Sequence, residues 1–298
     1  MASTEAQQMM EFMRMGKPQE GTALPTGEEL QAVRAGNDQM MAQFPISESI
    51  TVEEDGLDEL DGEFYRYGGE DKRVDHFLLY FHGGGYENGT VKSRRFVAAN
   101  LAAAAKVDAF SLDYTQWPEG KHPVALTEAV AAFDAVLDLG FAPENIAVGG
   151  ESAGAMLTLA LVHWLKDNGR ALPGKIVTMG PVLDIAEAYP SRTERAEREP
   201  MLSPKLNEEM RYFWEAEDLK SPYISARYGD FHGFPEAFIT VGTEEILYDD
   251  AVDLHHLLDE AGVKNSLHVY DGLFHTFQCM PMPESFASIA EIGEFLRS

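Results

Sequence analysis

The chain has 298 residues, 45% hydrophobic and 24% charged, a globular composition with length for one large α/β domain or two small ones. Asp and Glu number 50 against 23 Lys and Arg, and the formal net charge of −27 argues against binding nucleic acid or an anionic membrane surface. The one cysteine, Cys279, excludes an internal disulfide and fits a reducing compartment, so a cytoplasmic location is expected.

Residues 1–45 read as helical and rich in methionine (Met9, Met10, Met13, Met15, Met40, Met41), with Pro18, Gly21, Pro25 and Gly27 breaking the segment in two. Methionines at such spacings fill irregular gaps in a core or line the mouth of an apolar pocket. The first 17 residues lack the basic start and apolar block of a secretory signal, and no apolar run reaches membrane-spanning length. Residues 46–54 and Gly62–Tyr67 predict a hairpin, with Asp55-Gly56 and Asp61-Gly62 as turn signals. From there strands are expected at Phe77–Phe81, Asp108–Leu112, 145–149, Lys175–Met179, 237–241 and 266–270, with helices at 93–105, 123–138, 153–166, 249–261 and 284–296. Strand alternating with helix predicts an α/β fold, a mostly parallel sheet with helices on both faces and sites at the carboxyl ends of its strands. Residues 184–226 interrupt the alternation. They hold a charge run, Arg192 to Glu199, expected to be a solvated helix face, and the aromatics Tyr212, Phe213 and Trp214. The whole stretch reads as a lid insertion. The expected domains are thus a core of 46–183 and 227–298, with a helical cap from 1–45 and 184–226.

Gly150-Glu151-Ser152-Ala153-Gly154 lies between the apolar strand at 145–149 and the helix at 153–166. A serine in so tight a strand-to-helix turn, with glycines two before and two after, has the nucleophile-elbow pattern. The turn strains the serine backbone, admits only small flanking residues and exposes the hydroxyl at a helix N-terminus that favours negative charge.

A serine hydroxyl needs a base to take its proton, and the base needs an orienting acid, in the chain order serine, acid, histidine. His255 and His256 lie among leucines in an amphipathic helix and His268 lies within a strand. His275 follows the last strand and the loop Asp271-Gly272-Leu273-Phe274, which frees it to reach the site as the base. After the strand at 237–241 four carboxylates compete for the acid, Glu244, Glu245, Asp249 and Asp250, and helix capping accounts for the others. Upstream, strand Phe77–Phe81 runs into His82-Gly83-Gly84-Gly85-Tyr86, whose glycines let successive N–H groups face one spot, the oxyanion-hole pattern of lipases and esterases.

These residues together resemble the hormone-sensitive-lipase family of esterases, also called bacterial family IV, from Phe77 to the C-terminus. Tyr114-Thr115-Gln116-Trp117-Pro118-Glu119 is similar to the family's tyrosine-to-Pro-Glu segment, and Pro123, Leu126, Ser221-Pro222 and Phe234-Pro235 are in step. The family's acid stands two residues before a leucine and about thirty before the histidine. Glu245 precedes Leu247 by two and His275 by thirty, so the resemblance favours Glu245, with Asp249 and Glu244 as fallbacks. Most members have aspartate there, and aspartate is also commoner at the position of Glu151. The resemblance implies an α/β-hydrolase fold and a carboxylesterase for small-molecule esters of short, acetyl-like acyl groups. It implies oxyanion donors at Gly84, Gly85 and Ala153, a cap that sets acyl and alcohol preference, and no metal or cofactor. A homodimer is compatible with it. An amide hydrolase or lactonase on the same triad is the alternative. A binding protein on a hydrolase scaffold is another, as in the plant gibberellin receptors, but those have lost the triad histidine and here all three positions are filled.

Overall fold

Phe77–Phe81 contains five apolar residues in a row, and all five are buried. A strand buries every side chain only where both faces of its sheet are covered, so this run belongs at the centre of a layered sandwich. The computed structural model describes residues 2–17, 25–215 and 218–298, and Met1, Pro18, Gly21 and the Tyr212 side chain lie outside it. In chain order the elements are α1 (Thr4–Gly16), α2 (Gly27–Met41), β1 (Ile50–Glu53), β2 (Gly62–Tyr67), β3 (Phe77–Phe81), α3 (Val91–Ala105), β4 (Asp108–Leu112), α4 (Val124–Asp138), β5 (Ile146–Glu151), α5 (Ala153–Asp167), β6 (Lys175–Met179), α6 (Ser191–Glu194), α7 (Leu206–Trp214), β7 (Glu236–Gly242), α8 (Tyr248–Glu260), β8 (Asn265–Tyr270) and α9 (Pro283–Arg297).

The sheet has eight strands in the order β1-β2-β4-β3-β5-β6-β7-β8, antiparallel at β1–β2 and β2–β4 and parallel elsewhere. Successive side chains of β3 point to opposite faces. Phe77, Leu79 and Phe81 pack with Phe133 of α4 and Leu157 and Leu161 of α5, while Leu78 and Tyr80 pack with Val97 and Leu101 of α3 and Ile289 and Ile292 of α9. Each buried side chain of this size contributes about 1.5–3 kcal/mol. The register pairs Phe81 with Gly150 and Glu151 with Met179, which brings the carboxyl ends of β3, β5 and β6 to one spot. Among the described residues no helix is long and apolar enough to cross a membrane.

The expected fold class is the observed one, and four strands coincide with their predicted bounds. The first hairpin strand is shorter than 46–54. Asn100 of α3 binds Pro45 O and the Ser47 N–H, so the chain there is held by side-chain bonds instead of a ladder. Met10 and Met41 are buried, but Met15 and Met40 are exposed, so only some of the N-terminal methionines fill a core. Ala6 and Met10 of α1 pack against Leu273, Phe274 and Phe277.

The run from Arg192 to Glu199 is not a solvated helix face. Only Ser191–Glu194 is helical, and Arg192 and Glu199 are each 1% exposed. The cause is Asp250 in the first turn of α8, fully buried and paired with Arg192 through Nη1–Oδ2 at 2.6 Å and Nη2–Oδ1 at 2.9 Å. A buried charge is tolerated when paired and hydrogen-bonded, and Asn207 Oδ1 accepts from the remaining Arg192 Nε at 3.1 Å. Phe213 and Trp214 are buried with ring centroids 4.6 and 5.1 Å from that of Tyr86, the residue after the three glycines.

Candidate active site

Ser152 stands at the junction of β5 and α5 with φ 55° and ψ −118°, a conformation costing about 1–3 kcal/mol in a non-glycine residue. The neighbouring strand explains the glycines beside it. A Cβ on Gly150 would lie 2.4 Å from Phe81 O, and one on Gly154 would lie 2.0 Å from the same atom. Only hydrogen fits where the head of α5 passes over the end of β3. The Ser152 N–H donates to Met179 O at 2.9 Å, which fixes the serine at the end of β6.

The next residue after Met179, Gly180, lies against a second pair of side chains. His275 Nδ1 is 2.8 Å from Glu245 Oε2, and a Cβ on Gly180 would sit 2.8 Å from both atoms. Gly180 has φ +55° and forms the floor under the pair. The two loops that carry the pair are tied together, Glu244 N–H to Leu273 O at 3.0 Å and Gly272 N–H to Thr243 Oγ1 at 2.8 Å. Glu245 Oε1 accepts from the Gly242 N–H at 2.5 Å. With Nδ1–H donating to the carboxylate, Nε2 is the acceptor of the ring. It is buried and has no hydrogen-bond partner among the described residues, so the Ser152 hydroxyl is not bonded to it in this resting geometry. Burial pushes His275 down to about 4. The Glu199 and Glu151 carboxylates oppose that, and Arg192 and Arg94 reinforce it. The resting imidazole is therefore neutral near pH 7.

Asp249 and Glu244 point elsewhere. Asp249 does not cap α8, as the sequence suggests; the helix starts at Tyr248, and Asp249 Oδ2 accepts from the Ser191 N–H at 2.9 Å. It is Ser191 Oγ, from the neighbouring segment, that accepts from the Asp249 N–H at 3.2 Å. Glu244 faces Arg198 at 3.7 Å.

The glycine loop is fixed from below by Glu151. Its carboxylate is 1% exposed and accepts from the Gly83 N–H at 2.5 Å, from Arg94 Nε at 3.0 Å and from the Tyr80 hydroxyl. The residue before the serine thus clamps the glycine loop to the elbow. The remaining N–H groups of the loop, on Gly84 and Gly85, and that of Ala153 at the first position of α5, bond to no other described residue. Gly84 at φ +123° and Gly85 at φ +67° hold the backbone in conformations that side chains rarely adopt. His82 lies stacked on Tyr114, centroids 4.3 Å apart, and Tyr114 donates to His82 O at 2.6 Å. Glu151 had a signal in the sequence, a carboxylate at the end of an otherwise apolar strand. Gly180 and Glu199 had none that local pattern supplies.

Comparisons with known proteins bear on the fold and the family. A family model described as alpha/beta hydrolase fold matches residues 78–279. An acetyl-hydrolase of Streptomyces hygroscopicus is 34% identical over 239 residues, 79% of each chain. A crystal structure of the esterase EstE5, soaked with p-nitrophenyl butyrate, superposes with a TM-score of 0.91 at 29% identity, covering 99% of this chain and 98% of that one. An esterase of the bacterial hormone-sensitive-lipase family superposes with a TM-score of 0.90 at 30% identity, covering 100% and 98%. With a strained serine at the strand-to-helix turn and a histidine–carboxylate pair beside it, this chain belongs to the hormone-sensitive-lipase family of α/β-hydrolases and is a serine esterase acting on carboxylic esters.

Proposed function

We propose that Ser152 is the nucleophile, His275 its base and Glu245 the acid that orients the base. In the same reading Gly84, Gly85 and Ala153 donate the N–H groups of the oxyanion hole, and the substrate is an ester with a short, acetyl-like acyl group. The observation that carries this is the 2.8 Å contact between His275 Nδ1 and Glu245 Oε2, with Nε2 left as the open acceptor. Nε2 takes the Ser152 proton as Oγ attacks the ester carbonyl. The three N–H groups receive the negative charge that develops on the carbonyl oxygen, and the dipole of α5 favours it. The imidazolium returns the proton to the departing alkoxide, leaving an acyl-serine. Water then gives a proton to Nε2 as its oxygen bonds to the acyl carbon, and Nε2 passes that proton to Oγ as the bond from the acyl carbon to Oγ breaks, which regenerates Ser152 and releases the acid. Burial pushes the Glu245 carboxyl up while the Gly242 N–H holds it down, and in this reading it is the carboxylate that stabilises the imidazolium.

The short-acyl reading is supported by the acetyl-hydrolase named above and by the bulk beside the glycine loop, where Phe213 stacks on Tyr86 and Trp214 packs edge-on against it. The test is hydrolysis of p-nitrophenyl esters from acetyl to hexadecanoyl by the wild type and Ser152→Ala. Turnover should peak between acetyl and hexanoyl, and the variant should lose roughly 10⁶-fold in kcat with its fold intact. A maximum at long chains refutes the acyl assignment; near wild-type turnover by Ser152→Ala refutes the nucleophile.

A further inference from the structure

The residue after Glu245 is gripped at both ends of its peptide by one neighbouring segment. Ile246 O accepts from Ser191 Oγ at 2.7 Å and from Arg192 Nη1 at 2.8 Å, while the Ile246 N–H points at Glu199 Oε2, 3.4 Å away. Arg195 Nη1 donates to Thr243 O in the same loop. Four side chains between positions 191 and 199 therefore brace the loop that carries Glu245.

Glu199 differs from the other three. It is buried, its Oε1 accepts from the Met201 and Leu202 N–H groups at 2.9 and 3.4 Å, and among the described residues no Lys or Arg side chain pairs with its carboxylate. A buried carboxylate without a cation is costly to keep. Burial pushes the Glu199 carboxyl up; the charge of protonated His275 opposes that, and the Glu245 carboxylate adds to it. Seen from His275, the titratable and charged groups are Glu245 on the acid loop, Glu199, Glu151 at the elbow, Arg192 and Arg94. The backbone around Glu199 is itself tied to the end of α1. Lys17 Nζ donates to Ala196 O at 3.1 Å and Glu199 O at 2.6 Å, and Arg14 Nη2 donates to Arg198 O at 3.0 Å. The same helix packs Ala6 and Met10 under Leu273 and Phe274, just before the histidine.

We propose that Glu199 is a positioning residue for the Glu245–His275 pair: it steadies the acid loop through Ile246 and presents a second buried negative charge to the imidazolium that forms during turnover. The proposal rests on the assignment of His275 as the base. Removing the charge disfavours protonated His275, so the acid limb of activity moves to lower pH and kcat falls. KM is unchanged, because Glu199 acts through Ile246 and the imidazolium and not on the substrate.

The experiment measures kcat, KM and the pH profile of kcat/KM with p-nitrophenyl acetate for the wild type, Glu199→Gln and Glu199→Asp. Circular dichroism and Tm check the fold. Labelling of Ser152 by a sulfonyl fluoride is followed over the same pH range. Glu199→Gln should shift the acid limb down by roughly one pH unit and lower kcat about tenfold at constant KM. Glu199→Asp should restore the limb. A wild type that shows no acid limb or no labelling at Ser152 overturns the assignment of base and nucleophile, and the proposal with it. A normally labelled wild type beside a folded Glu199→Gln with an unmoved limb and kcat within about twofold overturns the proposal alone. Should Glu199→Gln not fold, Lys17→Met leaves the carboxylate in place but frees its backbone. A lowered kcat at constant KM then supports the proposal, and wild-type kcat overturns it.

Discussion

Replacing Glu245 by Gln separates the proposed acid from its rivals, and the geometry sets the size of the effect. Glu245 uses both carboxylate oxygens as acceptors, Oε1 from the Gly242 N–H at 2.5 Å and Oε2 from His275 Nδ1 at 2.8 Å. Gln has one oxygen and one NH2 group. If the oxygen faces Gly242, the NH2 faces His275 and requires Nδ1 as an acceptor, which puts the ring proton on Nε2. Nε2 then cannot take the serine proton. If the amide is turned, the NH2 opposes the Gly242 N–H in a buried site, donor against donor, and costs about 1–3 kcal/mol. The first arrangement wins, and an acid-to-amide change that enforces the wrong tautomer lowers kcat by about 10⁴, or about 5.4 kcal/mol of barrier. Asp249→Asn keeps an oxygen for the Ser191 N–H, now 2.9 Å from Asp249 Oδ2, and should retain most activity. Steady-state hydrolysis of p-nitrophenyl acetate by both variants, each with a native Tm, is the measurement. An active Glu245→Gln beside an inactive Asp249→Asn would falsify the assignment and move the acid to Asp249.

Arg192→Met strands Asp250, which is 0% exposed, without its partner, and should cost about 3–5 kcal/mol in urea unfolding; the double variant with Asp250→Leu should recover most of that. A wild-type midpoint for the single variant counts against a buried ion pair. His163 and His275 are both pushed down to about 4 by burial, from an ordinary value of 6.5. Between those values the unfolded chain binds protons that the folded chain does not. Stability contributed by each neutral ring is therefore full above pH 6.5 and is lost as pH falls toward 4, by up to about 3 kcal/mol per ring. His163 packs with centroids 4.9 and 4.6 Å from Phe231 and Phe234, so Phe fits in its place. His163→Phe should flatten the fall of unfolding free energy over that range, and an unchanged slope would rule out the buried neutral His163.

Local chemistry in the chain determined the elements and the outline of the site. An unbroken apolar run set β3, which is covered on both faces, and shorter apolar stretches set β4 and β6, where Ser111 and Thr178 are buried among them. The elbow was legible because a strained serine needs bare glycines two residues to each side, and the 2.0–2.4 Å approaches of their hypothetical Cβ atoms to Phe81 O show why. His275 was legible because it lies just past the last strand, free of both periodic patterns. The choice of Glu245 over its neighbours needed the family's spacing, since four carboxylates follow one strand and local pattern treats them alike. What only the tertiary structure decided is which charges are buried and against what. Arg192 and Asp250 are 58 residues apart, and Glu199 lies 47 from the Ile246 N–H that it faces. A charge run looks the same in sequence whether it faces water or a partner. Its fate depends on the segment stacked across from it, and the desolvation cost that makes such a pair matter exists only once the chain has folded over it.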